Sequence, residues 1–300
     1  MRATMSMPAT ALPARHVLLA LAVMAVWGSN FVVVKLALAS LPPLLFALLR
    51  FTFAVLPAAF IVARPAVPWP RLAAYGVFIG VGQFGLLYIA VGGHISPGLA
   101  SLVVQMQVFF TIALAVGFDG ERVRLYQWVA MAVAASGMLL IGVQLDAAAT
   151  PLGLALVLAA AMSWALGNQV AKGNGRADTL GVVVWSSLFA LPPLLALSLI
   201  FEGLPAMTSA IAQADAMVWC AVLWQSVGNT LFGYAAWSWL LARHPASAVA
   251  PMALLVPVFG MSASAWWLGE ALPWWKLLAA ALVMAGLALN LFWPRLRARF

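Results

Sequence analysis

Ten apolar runs follow one another along this 300-residue chain, each close to the roughly 20 residues an α-helix needs to cross bilayer hydrocarbon. Their approximate limits are 16–39, 43–63, 72–92, 97–117, 124–144, 151–171, 179–200, 216–241, 246–268 and 273–293. Turn signals separate them at Pro42-Pro43, Arg64-Pro65, Ser96-Pro97, Asp119-Gly120, Pro151, Gly173-Asn174-Gly175, Arg243-His244-Pro245 and Pro273. Only 7% of the residues are charged, against roughly a quarter in a soluble domain. Lipid is therefore the solvent for most of the surface, and the expected fold is all-α integral membrane. The first run has the charged start and apolar stretch of a signal peptide. It is too long for one and further spans follow, so we read it as an uncleaved first span.

Lys and Arg concentrate in short cytoplasmic loops of membrane proteins, which orients the chain. With the N-terminus inside, cytoplasmic segments hold Arg2, Arg15, Arg64, Arg71, Arg122, Arg124, Lys172, Arg176, Arg243, Arg295, Arg297 and Arg299, twelve of the 15 basic residues. The outer loops hold none and carry Asp146, Glu202, Asp215 and Glu270. Both termini are expected in the cytoplasm, with 1–14 and 294–300 as tails. This placement also accounts for the net charge of +8 without a nucleic-acid partner, because the basic residues are scattered. Cys220 is the lone cysteine, so one chain can form neither a disulfide nor a cysteine metal site. No metal and no cofactor are expected.

The halves repeat. Trp27 and Lys35 recur as Trp164 and Lys172, 137 positions later. Gln107-Val108-Phe109 matches Pro257-Val258-Phe259 at an offset of 150, while Gly120-Glu121 matches Gly269-Glu270 and Ser136-Gly137 matches Ala285-Gly286 at 149. Each half, 15–144 and 151–293, holds five runs. An odd number turns the second half upside down in the membrane, the inverted-repeat plan of many secondary transporters. A monomer is compatible with this plan, and the oligomeric state is left open.

Several segments carry a family likeness: WGSNFVVVK (27–35), PPLLFALLRF (42–51), PGLASLVVQMQVFFTI (97–112), Gly120-Glu121, WALGNQVAK (164–172) and APMALLVPVFG (250–260). Over nearly its whole length the chain resembles the drug/metabolite transporter superfamily, in particular its EamA-type ten-span exporters. The resemblance implies a multi-pass protein of the bacterial inner membrane that exports amino acids or their metabolites. A cationic-drug exporter is the alternative within the same class.

Polar groups inside a membrane usually face protein or a watery cavity. Mid-span amides occur at Asn30, Gln83, Gln105, Gln107, Asn168, Gln169, Gln225 and Asn229. An amide can donate to a carboxylate and accept from an ammonium, which suits an amino-acid substrate. It can equally join helix to helix without touching ligand. Gln225 and Asn229 share a helix face, as do Trp164 and Asn168. We expect Asn30, Gln83, Tyr88, Gln105, Gln107, Trp164, Asn168, Gln225, Asn229 and Tyr234 to line a central substrate cavity. Pro251 and Pro257 each remove a helix hydrogen bond, and we read a kink there that moves. Trp27 is read as core, Trp266-Trp267 and Trp274-Trp275 as interface belt, and Gly76 and Gly80 as close-packing positions.

Lys35 and Lys172 lie near span ends, where they can reach headgroups. Arg50 lies about seven residues inside its span, without a basic counterpart in the second half. Two roles fit it: pairing with helix-end carbonyls, or attracting a substrate carboxylate. Glu121 and Glu270 precede new spans and suit the positive start of a helix. All seven acidic residues fall in loops or at span ends, and His16, His94 and His244 sit at boundaries. An intramembrane enzyme needs a buried carboxylate, metal cluster or activated nucleophile, so catalysis is not expected. A proton relay through an intramembrane carboxylate is not expected either.

Overall fold

The computed structural model describes residues 12–120, 122–144, 149–174 and 178–297, the side chains of 246–247 and 294–297 excepted. Arg2, Glu121, Asp146, Arg176 and Arg299, which entered the reading of loops and tails, lie outside the described residues, as do the side chains of Arg295 and Arg297.

The architecture is all-helical among the described residues. The helices are α1 (Ala14–Ala37), α2 (Pro43–Ala58), α3 (Trp69–Gly93), α4 (Pro97–Asp119), α5 (Leu125–Val143), α6 (Pro151–Lys172), α7 (Thr179–Phe201), α8 (Leu204–Gln213), α9 (Ala216–Arg243), α10 (Ala250–Leu268) and α11 (Trp274–Arg297). Eight of them, all except α2, α8 and α9, are long and apolar enough to cross a membrane. A ninth arises if α8 and α9, bent by 106° at their junction, are counted as one span. α9 is unusual in carrying the buried polar residues Gln225, Ser226, Asn229 and Thr230 in its middle. α2 stops at Ala58, short of the expected 63, with Pro57 in its last turn. Proline removes a backbone donor there, and Arg64-Pro65 disfavours resumption of the helix. The 201–215 connection, read as a loop, contains α8.

The helix ends follow from local chemistry. Thr150, Asp178 and Asp215 each accept a hydrogen bond from the backbone N–H three residues on, at 3.0, 2.9 and 2.9 Å, capping α6, α7 and α9. α4 and α10 both close on a left-handed glycine, Gly120 (φ 68°) and Gly269 (φ 66°), a conformation other residues rarely adopt.

The helices pack in recurring pairs. α1 lies along α10 and α6 along α4; α3 contacts α6 and α7, and α9 contacts α1 and α2; α2 pairs with α7, α4 with α10 and α5 with α11. These principal pairs map onto themselves when α1–α5 are exchanged for α6, α7, α9, α10 and α11. Close approach depends on glycine at two positions facing α7. A Cβ on Gly76 would collide with the Ser186 carbonyl, and one on Gly80 with the Ala190 side chain.

Long-range polar contacts fasten the ends. Glu202, at the end of α7, accepts from the backbone N–H of Leu44 (2.6 Å) and Leu45 (2.9 Å) at the start of α2. Lys35 donates to the Val91 (3.2 Å) and Gly92 (3.3 Å) carbonyls at the end of α3, so its ammonium is held by protein rather than headgroups. Glu270 differs from its sequence reading in a similar way. It reaches across to the start of α4, accepting from Gly98 N (3.0 Å) and Ser96 Oγ, and also accepts from Ser264 and from Lys276 at 3.1 Å. Burial alone would push its carboxyl up, but the Ser264, Ser96 and Lys276 hydrogen bonds and the Lys276 charge outweigh it and hold it below the ordinary value. Trp275 is also buried (7% exposed), unlike Trp266, Trp267 and Trp274, which are exposed as a membrane belt would be.

Candidate functional site

Two helices depart from α geometry at their centres. Val77–Gly85 in α3 and Trp224–Phe232 in α9 are π-helical, 147 positions apart. Two further segments are 3₁₀-helical, Val104–Met106 in α4 and Ala250–Leu254 at the start of α10. A π turn widens the helix and re-aims its side chains, which is why such turns gather at functional sites. In α9 the Thr230 hydroxyl donates to the Gln225 carbonyl five residues back, at 2.8 Å.

The second π segment faces Arg50. This side chain is fully buried (0% exposed) on α2. Its Nη1 donates to the Tyr88 hydroxyl at 2.8 Å, and its Nη2 to Asn229 Oδ1 at 3.0 Å and Thr230 Oγ1 at 3.1 Å. Tyr88 in turn donates to Gln225 Oε1 at 3.0 Å and stacks on Phe46, with centroids 5.0 Å apart. The guanidinium carbon lies 3.6 Å from the centre of the Phe84 ring, where the π face attracts a cation. Ser226 donates to the Arg50 carbonyl at 2.9 Å, and Trp27 donates through its indole N–H to the Asn229 carbonyl at 3.1 Å. Of the two roles that fit Arg50, pairing with helix-end carbonyls is not what these contacts show: they run to side chains of α3 and α9.

A narrow cleft opens beside this group, between α3 and α7. Arg50, Tyr75, Ser186, Ser187, Thr230 and Tyr234 supply its polar wall, and Phe51, Ile79, Phe84 and Val183 its apolar wall. Its free space, ≈ 10 Å³, is about what one water needs. Arg50 Nε and Gln225 Nε2, which are donors, and Asn30 Oδ1 and Gln83 Oε1, which are acceptors, are buried without a hydrogen-bond partner among the described residues.

Over residues 14–143 and 151–292 the sequence matches the EamA-like transporter family. The chain belongs to that family. It is 42% identical over 285 residues to a protein of Salmonella typhimurium (strain LT2) named a probable amino-acid metabolite efflux pump, covering 93% of this chain and 95% of that one. The Escherichia coli K12 protein of the same name is 40% identical with the same coverage. A solved crystal structure shares the fold with a TM-score of 0.65 at 18% identity, covering 95% of this chain and 99% of the other. As an EamA family member, the protein is a multi-pass inner-membrane transporter and not an enzyme.

Within this EamA transporter, the residues singled out from sequence divide into groups. Tyr88, Gln225 and Asn229 join around Arg50, and Tyr234 lines the adjoining cleft with its ring 5.6 Å from Trp27. Asn168 instead donates to Gln107 Oε1 (3.1 Å) and Thr111 Oγ1 (3.4 Å), tying α6 to α4 in a separate hydrogen-bonded group. Trp164 is half-buried and packs on the apolar core, and Gln105 is buried in the α4 3₁₀ turn. Gln169 donates to the Asp119 carboxylate, which also pairs with Lys172 at 2.8 Å on the exposed surface. Pro251 lies within the α10 3₁₀ turn and Pro257 is buried in the helix that follows. Sequence reasoning left out Tyr75, Ser186, Ser187 and Thr230. Arg50 carried the clearest signal, a charge deep in an apolar run with no acid in any neighbouring run.

Proposed function

We propose that this transporter exports amino acids or amino-acid metabolites by alternating access. In this reading α1–α7 and α9–α11 are ten spans with both termini cytoplasmic, and the five spans of 151–293 are inverted relative to those of 15–144. The exchange symmetry of the packed pairs supports it, as do the two family matches and the matched glycine caps. The substrate class rests on the names of the two relatives at 42% and 40% identity.

One observation carries the site assignment. The π turns occur in corresponding spans, and one of them presents the buried polar group at Arg50 beside a cleft. Broken helices near the midplane are where repeat-built transporters hold substrate. The cleft is nearly closed, so entry requires α3 and α7 to part, with Gly76 and Gly80 as the sliding surface. Closure at the outer end then rests on Glu202 against α2. At the inner end it rests on the contact of Arg71 with the Gly173 carbonyl and of the Trp185 indole with the Val62 carbonyl.

The described acidic residues Asp119, Asp178, Glu202, Asp215 and Glu270 all lie at helix ends or in connections. Flux is therefore driven by the substrate gradient or membrane potential. In proteoliposomes loaded with labelled neutral amino acids, efflux is expected to saturate and to keep its initial rate when the electroneutral K+/H+ exchanger nigericin, with equal potassium on both sides, collapses the pH gradient alone. Absence of saturable flux across the panel contradicts the export reading. Loss of flux with the pH gradient contradicts the uncoupled mechanism.

A further inference from the structure

Among the described residues Arg50 is a buried cation without a counter-ion. Its three hydrogen bonds end on neutral oxygens, those of Tyr88, Asn229 and Thr230, and none of its partners among the described residues is a carboxylate. Taking a charge out of water costs several kcal/mol unless an opposite charge compensates. The Phe84 ring face offsets part of that penalty. The remainder is a standing preference for an anion.

The geometry gives that anion a place. Arg50 lines the α3–α7 cleft, and its Nε has no partner among the described residues although the side chain is fully buried. A brace serving only to join α2, α3 and α9 would have no reason to face a cleft with a donor unused. The rest of the polar wall is hydroxyl: Tyr75, Ser186, Ser187, Thr230 and Tyr234. Ser186 and Ser187 both donate to the Val183 carbonyl, at 3.1 and 2.6 Å, which leaves their oxygen lone pairs for a ligand donor. An ammonium would thus meet neutral acceptors, whereas a carboxylate would meet a full positive charge.

We propose that Arg50 is the substrate-carboxylate receptor and that the cleft selects by net charge. It takes small carboxylates of net charge zero or minus one with an apolar side chain, and rejects cations. This rests on the export reading and narrows it. It also sets the protein apart from an exporter of cationic drugs.

The test uses three probes on the purified full-length protein: alanine, N-acetylalanine and alaninamide. Binding is read by thermal shift and equilibrium dialysis in detergent. Alanine and N-acetylalanine are expected to bind, and alaninamide, a cation without a carboxylate, is not. Arg50→Gln is expected to weaken carboxylate binding at least about thirtyfold, as loss of one partner of a buried charged hydrogen bond does. Arg50→Lys keeps the charge without the fork and is expected to fall between. Should Arg50→Gln fail to fold, Arg50→Lys and the wild-type comparison still decide. Alaninamide binding as tightly as alanine, a folded Arg50→Gln with wild-type affinity, or binding of none of the three overturns the proposal. Failure of the export reading is seen separately, as absence of flux in proteoliposomes while binding persists.

Discussion

Replacing Lys276 by methionine is expected to destabilise the protein by about 3–5 kcal/mol, the loss typical when one partner of a buried ion pair is removed. The Lys276 and Glu270 side chains are only 3% and 8% exposed and lie 3.1 Å apart. Methionine nearly matches the lysine stem in volume, so the loss comes from the stranded Glu270 carboxylate. That carboxylate also accepts from Gly98 N and Ser96 Oγ, so leaving it without Lys276 loosens the start of α4 from α10 and α11. The folded pKa of Glu270 is depressed below its ordinary 4.5. Its contribution is therefore complete above that ordinary value and disappears as pH falls through the lower folded value. Thermal unfolding in detergent checks both points. The wild type should lose stability on acidification in that window, and Glu270→Gln should lose much less.

The second large effect is expected from Tyr88→Phe. The ring, stacked on Phe46, is kept, while one hydroxyl is lost that accepts from Arg50 and donates to Gln225. Gln225 Nε2 already lacks a partner among the described residues, so Gln225 would retain no side-chain hydrogen bond to any of them. Each buried polar group left unsatisfied costs about 1–3 kcal/mol, and two are created. We expect a stability loss of about 2–6 kcal/mol on that basis. Initial transport rates should fall as well, because the guanidinium loses its hydrogen bond to α3. Unchanged stability together with wild-type flux would show that the Arg50–Tyr88–Gln225 chain is not formed in the working protein.

The chain's own residues explain which parts of this structure could be read in advance. Apolar runs located the helices other than α8 because hydrocarbon demands length and hydrophobicity locally. Gly120 marked a helix end because a positive φ is a local property, and Gly269, its match in the repeat, closes another. The π turns carry no such mark: Val77–Gly85 and Trp224–Phe232 look like ordinary apolar helix interrupted by glycine and amides. Polar partners were hidden for a different reason. Arg50 meets residues 38 and 179 positions away, and Glu270 meets Gly98 172 positions away. Helix pairing decides such contacts, and periodicity within one run does not encode it. The same gap explains Lys35, which resembles a headgroup anchor until α3 supplies its carbonyls. It also explains why Asn168 lies with Gln107 and Thr111 and not with Gln225 and Asn229.

The claim on which the mechanism turns is that the α3–α7 cleft is the substrate path and opens to one face at a time. The lone cysteine, Cys220, makes this directly measurable. In a Cys220→Ser background, Ser187→Cys places a single thiol in the cleft wall. A membrane-impermeant thiol reagent is then applied to one face or the other of oriented proteoliposomes. The expected result is labelling from both faces, slowed in each case by saturating alanine. Labelling from neither face, from one face only, or at a rate indifferent to alanine would contradict the account.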